Sequence, residues 1–230
     1  MSRGRVWALA LGGLTLALAG LVAYGDQPVA ALFYAGDGPW AGFFARVTVV
    51  GSAVVYLVPL GLAAALLPLA ARRAPPRRRA ALLRLAACLM FVFAAIALSG
   101  LTVDLVKVLV GRARPYLWRD GGIYAFAPPG WSALYQSFPS GHGATLVAAA
   151  LATGLLLPRL RWPLLGLAGL LALTRVAVGA HYPSDLLAGA AVAAAITLGL
   201  RRWCAARGWV FRRRADGSYR RRGQRSTPPR

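Results

Sequence analysis

Two histidines, one lysine and a few isolated arginines are the residues of this chain whose types suggest chemistry. His142 and His181 are the two histidines of the sequence, and Lys107 is its one lysine. An imidazole can act as a nucleophile or as a general acid and base. Lysine and arginine side chains bind phosphate oxygens, and arginine does so with a planar fork of donors. These residue types therefore indicate transfer of a phosphoryl group.

The spacing of these residues indicates one site made from three segments of the chain. The candidate site residues are Lys107, Arg114, Ser140, Gly141, His142, Arg175, His181 and Asp185. They lie at or near the ends of apolar runs, and if the runs cross a membrane in succession, these ends are all on the same side of it. Ser140 and Gly141 open a helix, and the free N–H groups of a helix N-terminus attract an anion. Asp185 follows His181 by one helical turn, close enough to hold one ring nitrogen and fix its tautomer.

The three segments resemble the signature of the type-2 phosphatidic acid phosphatase superfamily, which shares its site with the vanadium haloperoxidases. The motifs are Lys107 with six residues to Arg114-Pro115, then Pro139-Ser140-Gly141-His142, then Arg175 with five residues to His181 and three to Asp185. One position departs from the family pattern, since Thr174 stands where serine is usual. Because the hydroxyl is retained, we expect little consequence.

This resemblance implies a role for each candidate residue. His181 would attack phosphorus and form a phosphohistidine, Asp185 would orient His181, and His142 would protonate the leaving oxygen. The residues that would hold the phosphate oxygens are Lys107, Arg114, Ser140, Gly141 and Arg175. The resemblance implies no metal and no other cofactor.

Composition places the candidate site in a membrane protein. The chain has 230 residues, of which 58% are hydrophobic and 14% charged, with a formal net charge of +21. A soluble domain is about 45–50% apolar and about 25% charged, and a disordered polycation has too little apolar content to match this chain. The composition therefore argues against both of these classes.

Six apolar runs predict the fold. They cover residues 6–24, 47–71, 80–110, 140–157, 162–178 and 184–200. A membrane-spanning helix needs about 20 apolar residues, with a usable range of about 17–25. We predict an all-α, polytopic membrane helix bundle with six transmembrane helices over residues 1–200, followed by a basic, disordered tail over residues 201–230. The first run could instead be a cleaved signal peptide, although its length favours a retained helix.

The distribution of basic residues predicts the orientation. With the N-terminus in the cytoplasm, 21 basic residues lie on the cytoplasmic side and six on the opposite side. An excess of arginine and lysine marks the cytoplasmic side, so we predict two cytoplasmic termini and a site facing outward from a bacterial inner membrane. The arginines of the tail could also contact anionic lipids. They accompany no nucleic-acid-binding motif, and we predict no nucleic-acid partner.

Several neighbours of the site are interpreted as structural. Arg112 and Arg119 are taken as solvated loop charges, with contact to a lipid headgroup as the alternative. Asp104 lies one turn before Lys107 and is expected to pair with it or with another basic residue. The aromatic side chains between residues 111 and 139 are expected to lie in the headgroup layer of the membrane.

The sequence thus predicts a metal-independent phosphatase that lies in a lipid bilayer and acts on a phosphorylated lipid. The candidate substrates are phosphatidic acid, phosphatidylglycerol phosphate, an isoprenoid diphosphate such as undecaprenyl diphosphate, and the 1-phosphate of lipid A. A lipid-to-lipid phosphotransferase, an inactive membrane scaffold and a haloperoxidase are the alternatives. The substrate and the oligomeric state stay open.

Overall fold

The computed structural model is mainly helical and describes residues 3–34, 41–117 and 125–222. Its helices are α1 (Arg3–Gly20), α2 (Asp26–Tyr34), α3 (Ala41–Val47), α4 (Ala53–Arg72), α5 (Pro76–Val110), α6 (Gly141–Leu156), α7 (Arg161–Ala177) and α8 (Pro183–Ala206). Single turns link α1 to α2 (Leu21–Gly25) and α3 to α4 (Thr48–Gly51). Two strands, β1 (Phe211–Arg213) and β2 (Tyr219–Arg221), form an antiparallel hairpin in which Phe211 faces Arg221.

Within the described ranges, five helical stretches are long and apolar enough to cross a membrane. They are Ala8–Leu32, Gly42–Arg72, Pro76–Val110, Pro158–Ala177 and Pro183–Ala206, and each overlaps one of the predicted runs. The remaining run, residues 140–157, is helix α6, whose 16 residues span about 24 Å. A mainly helical bundle with helices long and apolar enough to span a membrane is therefore confirmed, whereas the number of spans and the side of the termini stay predictions.

Helix α6 lies at the centre of the bundle and packs against α5, α7 and α8. Its alanines at every fourth position, Ala144, Ala148 and Ala152, are fully buried on one face. They meet Ile96 of α5 and Ala193 of α8 in the main core. Small side chains let membrane helices approach closely, which is how such helices gain packing energy. A central helix that contacts protein on most sides does not have to match the thickness of the bilayer.

The first helical stretch reaches the centre of the bundle through its second half. Helix α1 is largely exposed, whereas Asp26 at the start of α2 is fully buried. Ala30 of the same helix packs against Tyr182, which precedes α8 and is also fully buried. Helix α2 is therefore tied to the turn between α7 and α8.

The basic tail is more ordered than its composition predicts. Helix α8 extends to Ala206, beyond the expected end at residue 200, and the hairpin follows it. Phe211 is buried and packs edge-on against Phe91 of α5, with ring centroids 4.9 Å apart. The predicted disorder is therefore wrong for residues 201–222, because Phe211 against Phe91 and Tyr219 beneath the Arg201 guanidinium of α8 hold the hairpin on the bundle. Residues 223–230 lie outside the described residues.

Candidate active site

Lys107 lies in the last turn of α5. The helix ends where Gly111 adopts a left-handed conformation, with φ of 59°, and donates its N–H to the Lys107 carbonyl oxygen at 2.9 Å. The Lys107 ammonium donates to Asp104 Oδ1 at 3.3 Å, so the expected pair is present. The same Nζ lies 3.2 Å from the position that a Cβ on Gly141 would occupy. The end of α5 therefore places an ammonium group at the start of α6.

Ser140 caps the N-terminus of α6. Its Oγ accepts a hydrogen bond from the Gly143 N–H at 3.2 Å, as a serine in this position commonly does. Its own N–H donates to the carbonyl oxygen of Asp185 at 2.9 Å, which ties the start of α6 to α8. The first N–H groups of a helix have no partner within the helix, and together with the helix dipole they favour an anion.

His142 follows in the first turn of α6 and packs against the backbone before α4. A Cβ on Gly51 would lie 2.8 Å from His142 Cδ2, closer than carbon atoms can approach without movement. The imidazole ring therefore occupies space that exists because residue 51 is a glycine. The side chain of His142 is half-buried.

His181 is buried in the turn between α7 and α8. Its Nδ1 lies 2.7 Å from the carbonyl oxygen of Ser137 and 3.6 Å from Asp185 Oδ2. Because a carbonyl oxygen only accepts, Nδ1 carries the proton and Nε2 keeps its lone pair. Burial lowers the pKa of His181, and Asp185 offsets this only in part, so the ring is neutral at pH 7. The nearest partner of the ring is therefore Ser137, which the sequence did not single out.

Asp185 holds the groups around His181 in place. Its Oδ2 accepts from the Tyr182 N–H at 2.8 Å and from the Ser137 hydroxyl at 2.5 Å, and its Oδ1 accepts from Arg112. The residue is fully buried. Asp185 thus reaches His181 mainly through Ser137, whose hydroxyl it binds and whose carbonyl oxygen binds the ring.

Arg112 differs most from its sequence interpretation. Its side chain is 3% exposed, and it lies between two carboxylates instead of in solvent. Nη1 donates to Asp185 Oδ1 at 2.7 Å, and Nη2 donates to Asp26 Oδ2 at 2.8 Å. Burial alone would lower the pKa of Arg112, but the two carboxylates outweigh it and raise that pKa. The interpretation of Arg112 as a solvated loop charge is therefore wrong, because folding brings both aspartates to it.

Asp26 is the second residue that the sequence did not single out. It is fully buried, accepts from the Ser184 N–H at 3.0 Å, and accepts from the Ser184 hydroxyl as well. The available signal is its scarcity, since the chain has six acidic residues and this one directly follows an apolar run. A carboxylate at such a place needs a partner.

Arg114 and Arg175 complete the positively charged part of the site. Arg114 Nε donates to the Ala133 carbonyl oxygen at 2.7 Å, and Arg175 Nη1 donates to Thr48 Oγ1 at 3.3 Å. Both charges lower the pKa of His181 further, after burial, and both act on His142 together with Lys107. The structure therefore brings the predicted cations and both histidines to one end of the bundle.

Two remaining expectations concern the surroundings of the site. Thr174 donates its hydroxyl to the Leu171 carbonyl oxygen at 2.6 Å, so its hydroxyl bonds within its own helix. Among the aromatic side chains of the long connection, Tyr116, Phe126 and Trp131 are exposed. Trp118, Arg119 and Tyr124 lie outside the described residues.

Comparisons with known proteins agree with this arrangement. The chain is 42% identical over 127 residues to a lipid A 1-phosphatase of Rhizobium johnstonii, which is 55% of this chain and 52% of the relative. A lipid A 1-phosphatase of Rhizobium etli is 46% identical over 101 residues, 44% of each chain. The decaprenylphosphoryl-5-phosphoribose phosphatase of Mycobacterium tuberculosis is 41% identical over 96 residues, 40% of this chain and 48% of the relative.

The chain spans about half the length of these curated relatives. No solved structure matches it. A family model described as the PAP2 superfamily matches residues 88–209, which is just over half of the chain and contains all eight predicted site residues. The chain therefore belongs to the PAP2 superfamily, that of the type-2 phosphatidic acid phosphatases.

Proposed function

We propose that the chain is a metal-independent membrane phosphatase that removes a phosphate, or the terminal phosphate of a diphosphate, from a lipid through a phosphohistidine. The observation that carries this proposal is the grouping of Lys107, Arg114 and Arg175 around His142 and His181. The relatives are named as phosphatases of lipid A and of decaprenylphosphoryl-5-phosphoribose, which supports a phosphorylated lipid as substrate.

In the first step, the lone pair on His181 Nε2 attacks phosphorus. A nitrogen–phosphorus bond forms, the bond between phosphorus and the leaving oxygen breaks, and protonated His142 gives its proton to that oxygen. The imidazole becomes positively charged, and the acceptors around it, the Ser137 carbonyl oxygen and the Asp185 carboxylate, favour that charge. The three cations stabilise the charge on the phosphoryl oxygens.

The substrate itself helps to protonate His142. Burial is the largest of the effects that disfavour a charge on this ring, and the positive charges of Arg175, Lys107 and Arg114 add to it. A bound phosphate brings negative charge to the same place and compensates them, so binding and protonation support each other. Bound substrate therefore favours the protonated form of His142 that the first step requires.

In the second step, water hydrolyses the phosphohistidine. His142, now neutral, accepts a proton from the water while its oxygen attacks phosphorus. The nitrogen–phosphorus bond breaks, its electron pair returns to Nε2, and inorganic phosphate leaves. A second lipid hydroxyl in place of water would make the same site a phosphotransferase.

Phosphate release by the detergent-purified full chain tests the proposal. The lipids to compare are lipid A 1-phosphate, phosphatidic acid, phosphatidylglycerol phosphate and undecaprenyl diphosphate. We expect release that survives EDTA, is inhibited by vanadate, and falls by at least about 10³-fold in His181→Asn. Asp216→Asn is the control, because this exposed carboxylate lies in the turn of the hairpin, at the end of the bundle opposite the site.

Three outcomes would overturn the proposal. Full activity in His181→Asn would show that the reaction does not pass through a phosphohistidine at this residue. Transfer of phosphate between lipids without release to water would establish a phosphotransferase instead. Neither release nor transfer from any of the four lipids would favour an inactive membrane scaffold.

We further propose that the site faces outward from a bacterial inner membrane, with both termini in the cytoplasm. The support is the excess of arginine in the loops and tail at the other end of the bundle. Trp131 and Ser218 are both exposed, Trp131 beside the site and Ser218 in the hairpin. In a background of Cys88→Ser and Cys204→Ser, an impermeant thiol reagent should label Trp131→Cys in intact cells. Ser218→Cys should react only after the cells are opened, and the reverse pattern would refute the orientation.

A further inference from the structure

A cavity lies at the end of the bundle opposite His181. It has a volume of about 1030 Å³ and is enclosed by the first half of α5, the end of α8 and the hairpin. Arg84 of α5 lines this cavity and precedes Lys107 by 23 residues on the same helix. At 1.5 Å per residue, these two side chains start about 35 Å apart. The cavity is therefore separate from the candidate active site.

The floor of the cavity is an apolar stripe along α5. Its members are Ala80, Leu83, Ala87, Met90 and Ala94, which recur every three or four residues and so share one face of the helix. From the level of Arg84 to Ala94 the stripe rises about 15 Å along the helix axis. The acyl chains of one leaflet have the same depth, about half of the ~30 Å hydrocarbon core. This part of the stripe can therefore hold an acyl chain over the depth of one leaflet.

The rim of the cavity is strongly basic. The arginines that line it, from α5 and from residues 212–222 of the hairpin, are Arg84, Arg212, Arg220, Arg221 and Arg222. None of the described residues that line the cavity is acidic. The Nε of Arg221 is buried and has no hydrogen-bond partner in the described part of the chain. The guanidinium donors and positive charges of these arginines favour an anion at this rim.

Two indole rings stand beside the arginines. Trp203 and Trp209 line the cavity, lie 5.2 Å apart between ring centroids, and are 43% and 57% exposed. Tryptophan is enriched at the headgroup level of a membrane, where one edge of the ring is wet and the body is apolar. Ala87, Met90 and Ala94 lie on the active-site side of Arg84 along α5, whereas the indoles and the other arginines belong to the last turn of α8 and to the segment after it. The cavity is therefore apolar toward the middle of the bundle and basic at its outer end, as an acyl chain and a phosphate headgroup require.

We propose that this cavity binds an anionic phospholipid of the surrounding bilayer, with its phosphate at the arginines and an acyl chain along α5. Guanidinium groups bind phosphate oxygens through charge-assisted hydrogen bonds, and basic residues at a membrane surface attract anionic lipids. Free phosphate would leave the apolar stripe uncovered, so the occupant is a lipid. The lipid is bound and not consumed, and Phe211 anchors the hairpin that supplies four of the five arginines.

Native mass spectrometry of the full chain in detergent tests this proposal. The probes are phosphatidylglycerol and phosphatidylcholine with identical acyl chains; phosphatidylglycerol is a phosphodiester, so a monoester phosphatase does not consume it. We expect phosphatidylglycerol to bind at least about tenfold more tightly, and Arg84→Gln with Arg212→Gln to remove that preference. Arg72→Gln with Arg73→Gln is the matched control, because it removes the same charge at the same end of the bundle but outside the cavity.

The control pair should keep the wild-type preference, and so should His181→Asn, whose binding result does not depend on any catalytic activity. Equal binding of the two lipids would overturn the proposal. An equal loss in the control pair would also overturn it, because the attraction would then come from overall charge. Displacement of phosphatidylglycerol by millimolar inorganic phosphate would show that the arginines bind phosphate alone. A thermal unfolding curve for each variant verifies that all of them are folded.

Discussion

Asp26→Ala is expected to destabilise the folded chain by about 3–5 kcal/mol, because it breaks a buried ion pair from one side. The replacement leaves Arg112, which is 3% exposed, with Asp185 as its one carboxylate partner. It also removes the acceptor for the N–H and the hydroxyl of Ser184. A buried donor without an acceptor destabilises the folded state, because it gives up its hydrogen bonds to water and gains none in the protein.

Three companion variants separate the contributions to this loss. Asp26→Asn keeps the shape and an acceptor but removes the charge, so about 1–3 kcal/mol is expected. Arg112→Met leaves two buried carboxylates without their cation and is expected to have the largest effect of the series. Asp104→Asn breaks the ion pair with Lys107, in which Asp104 is 71% exposed, and should change the free energy of unfolding by about 0–1 kcal/mol.

The assay is a denaturant titration in mild detergent, followed through the reactivity of the buried Cys204 thiol in a Cys88→Ser background. Linear extrapolation to zero denaturant gives the free energy of unfolding of each variant. The expected order of destabilisation is Arg112→Met, Asp26→Ala, Asp26→Asn and then Asp104→Asn. If Asp26→Ala were as stable as Asp104→Asn, the buried ion pair would not stabilise the fold and the reasoning would be refuted.

Three further outcomes follow from the packing and the charges. Gly51→Ala should reduce phosphate release at least about tenfold by displacing His142, since its Cβ would lie 2.8 Å from that ring, whereas Gly100→Ala, with no atom within 4 Å, should not. Because folding holds the pKa of His181 below its ordinary 6.5, the unfolded chain binds a proton more readily than the folded chain as the pH falls below 6.5. The free energy of unfolding should therefore decrease on acidification, and His181→Asn should make this dependence on pH weaker. Phe211→Ala should lose about 3–5 kcal/mol of packing and expose the hairpin arginines to trypsin.

Equal phosphate release in the two glycine variants would show that His142 is not held by its contact with residue 51. An unchanged pH slope in His181→Asn would show that other groups cause it. Resistance of Phe211→Ala to trypsin would show that other contacts, such as Arg201 over Tyr219, hold the hairpin without Phe211.

The apolar runs and the rare ionisable residues carried most of what could be predicted. Each run of the sequence became helical, because a long apolar stretch in a membrane protein has to satisfy its backbone internally. The first helical stretch continues ten residues beyond its run, to Tyr34, and the last continues six residues beyond its run, to Ala206. Lys107, His142 and His181 could be predicted to meet because their spacing puts them at ends of helices on one face. These predictions depend on local pattern alone.

The supporting contacts of the site could not be predicted in the same way. Arg112 and Asp26 are 86 residues apart, and no local spacing connects them. Ser137 binds His181 through a carbonyl oxygen, a group that every residue has and that no side-chain pattern marks. The order of the tail depends on individual contacts, such as Phe211 against Phe91 and Arg201 over Tyr219, in a segment whose overall composition is typical of disorder.

The position of Asp26 has a consequence for the time course of synthesis. Arg112 precedes Asp185 by 73 residues, which at about 5–20 residues per second takes about 4–15 seconds to translate. During that interval the guanidinium would have no carboxylate from α8. Asp26 is made before Arg112 and can serve as its counter-ion from the beginning, so the nascent chain does not have to hold an unpaired cation until its last helix is complete.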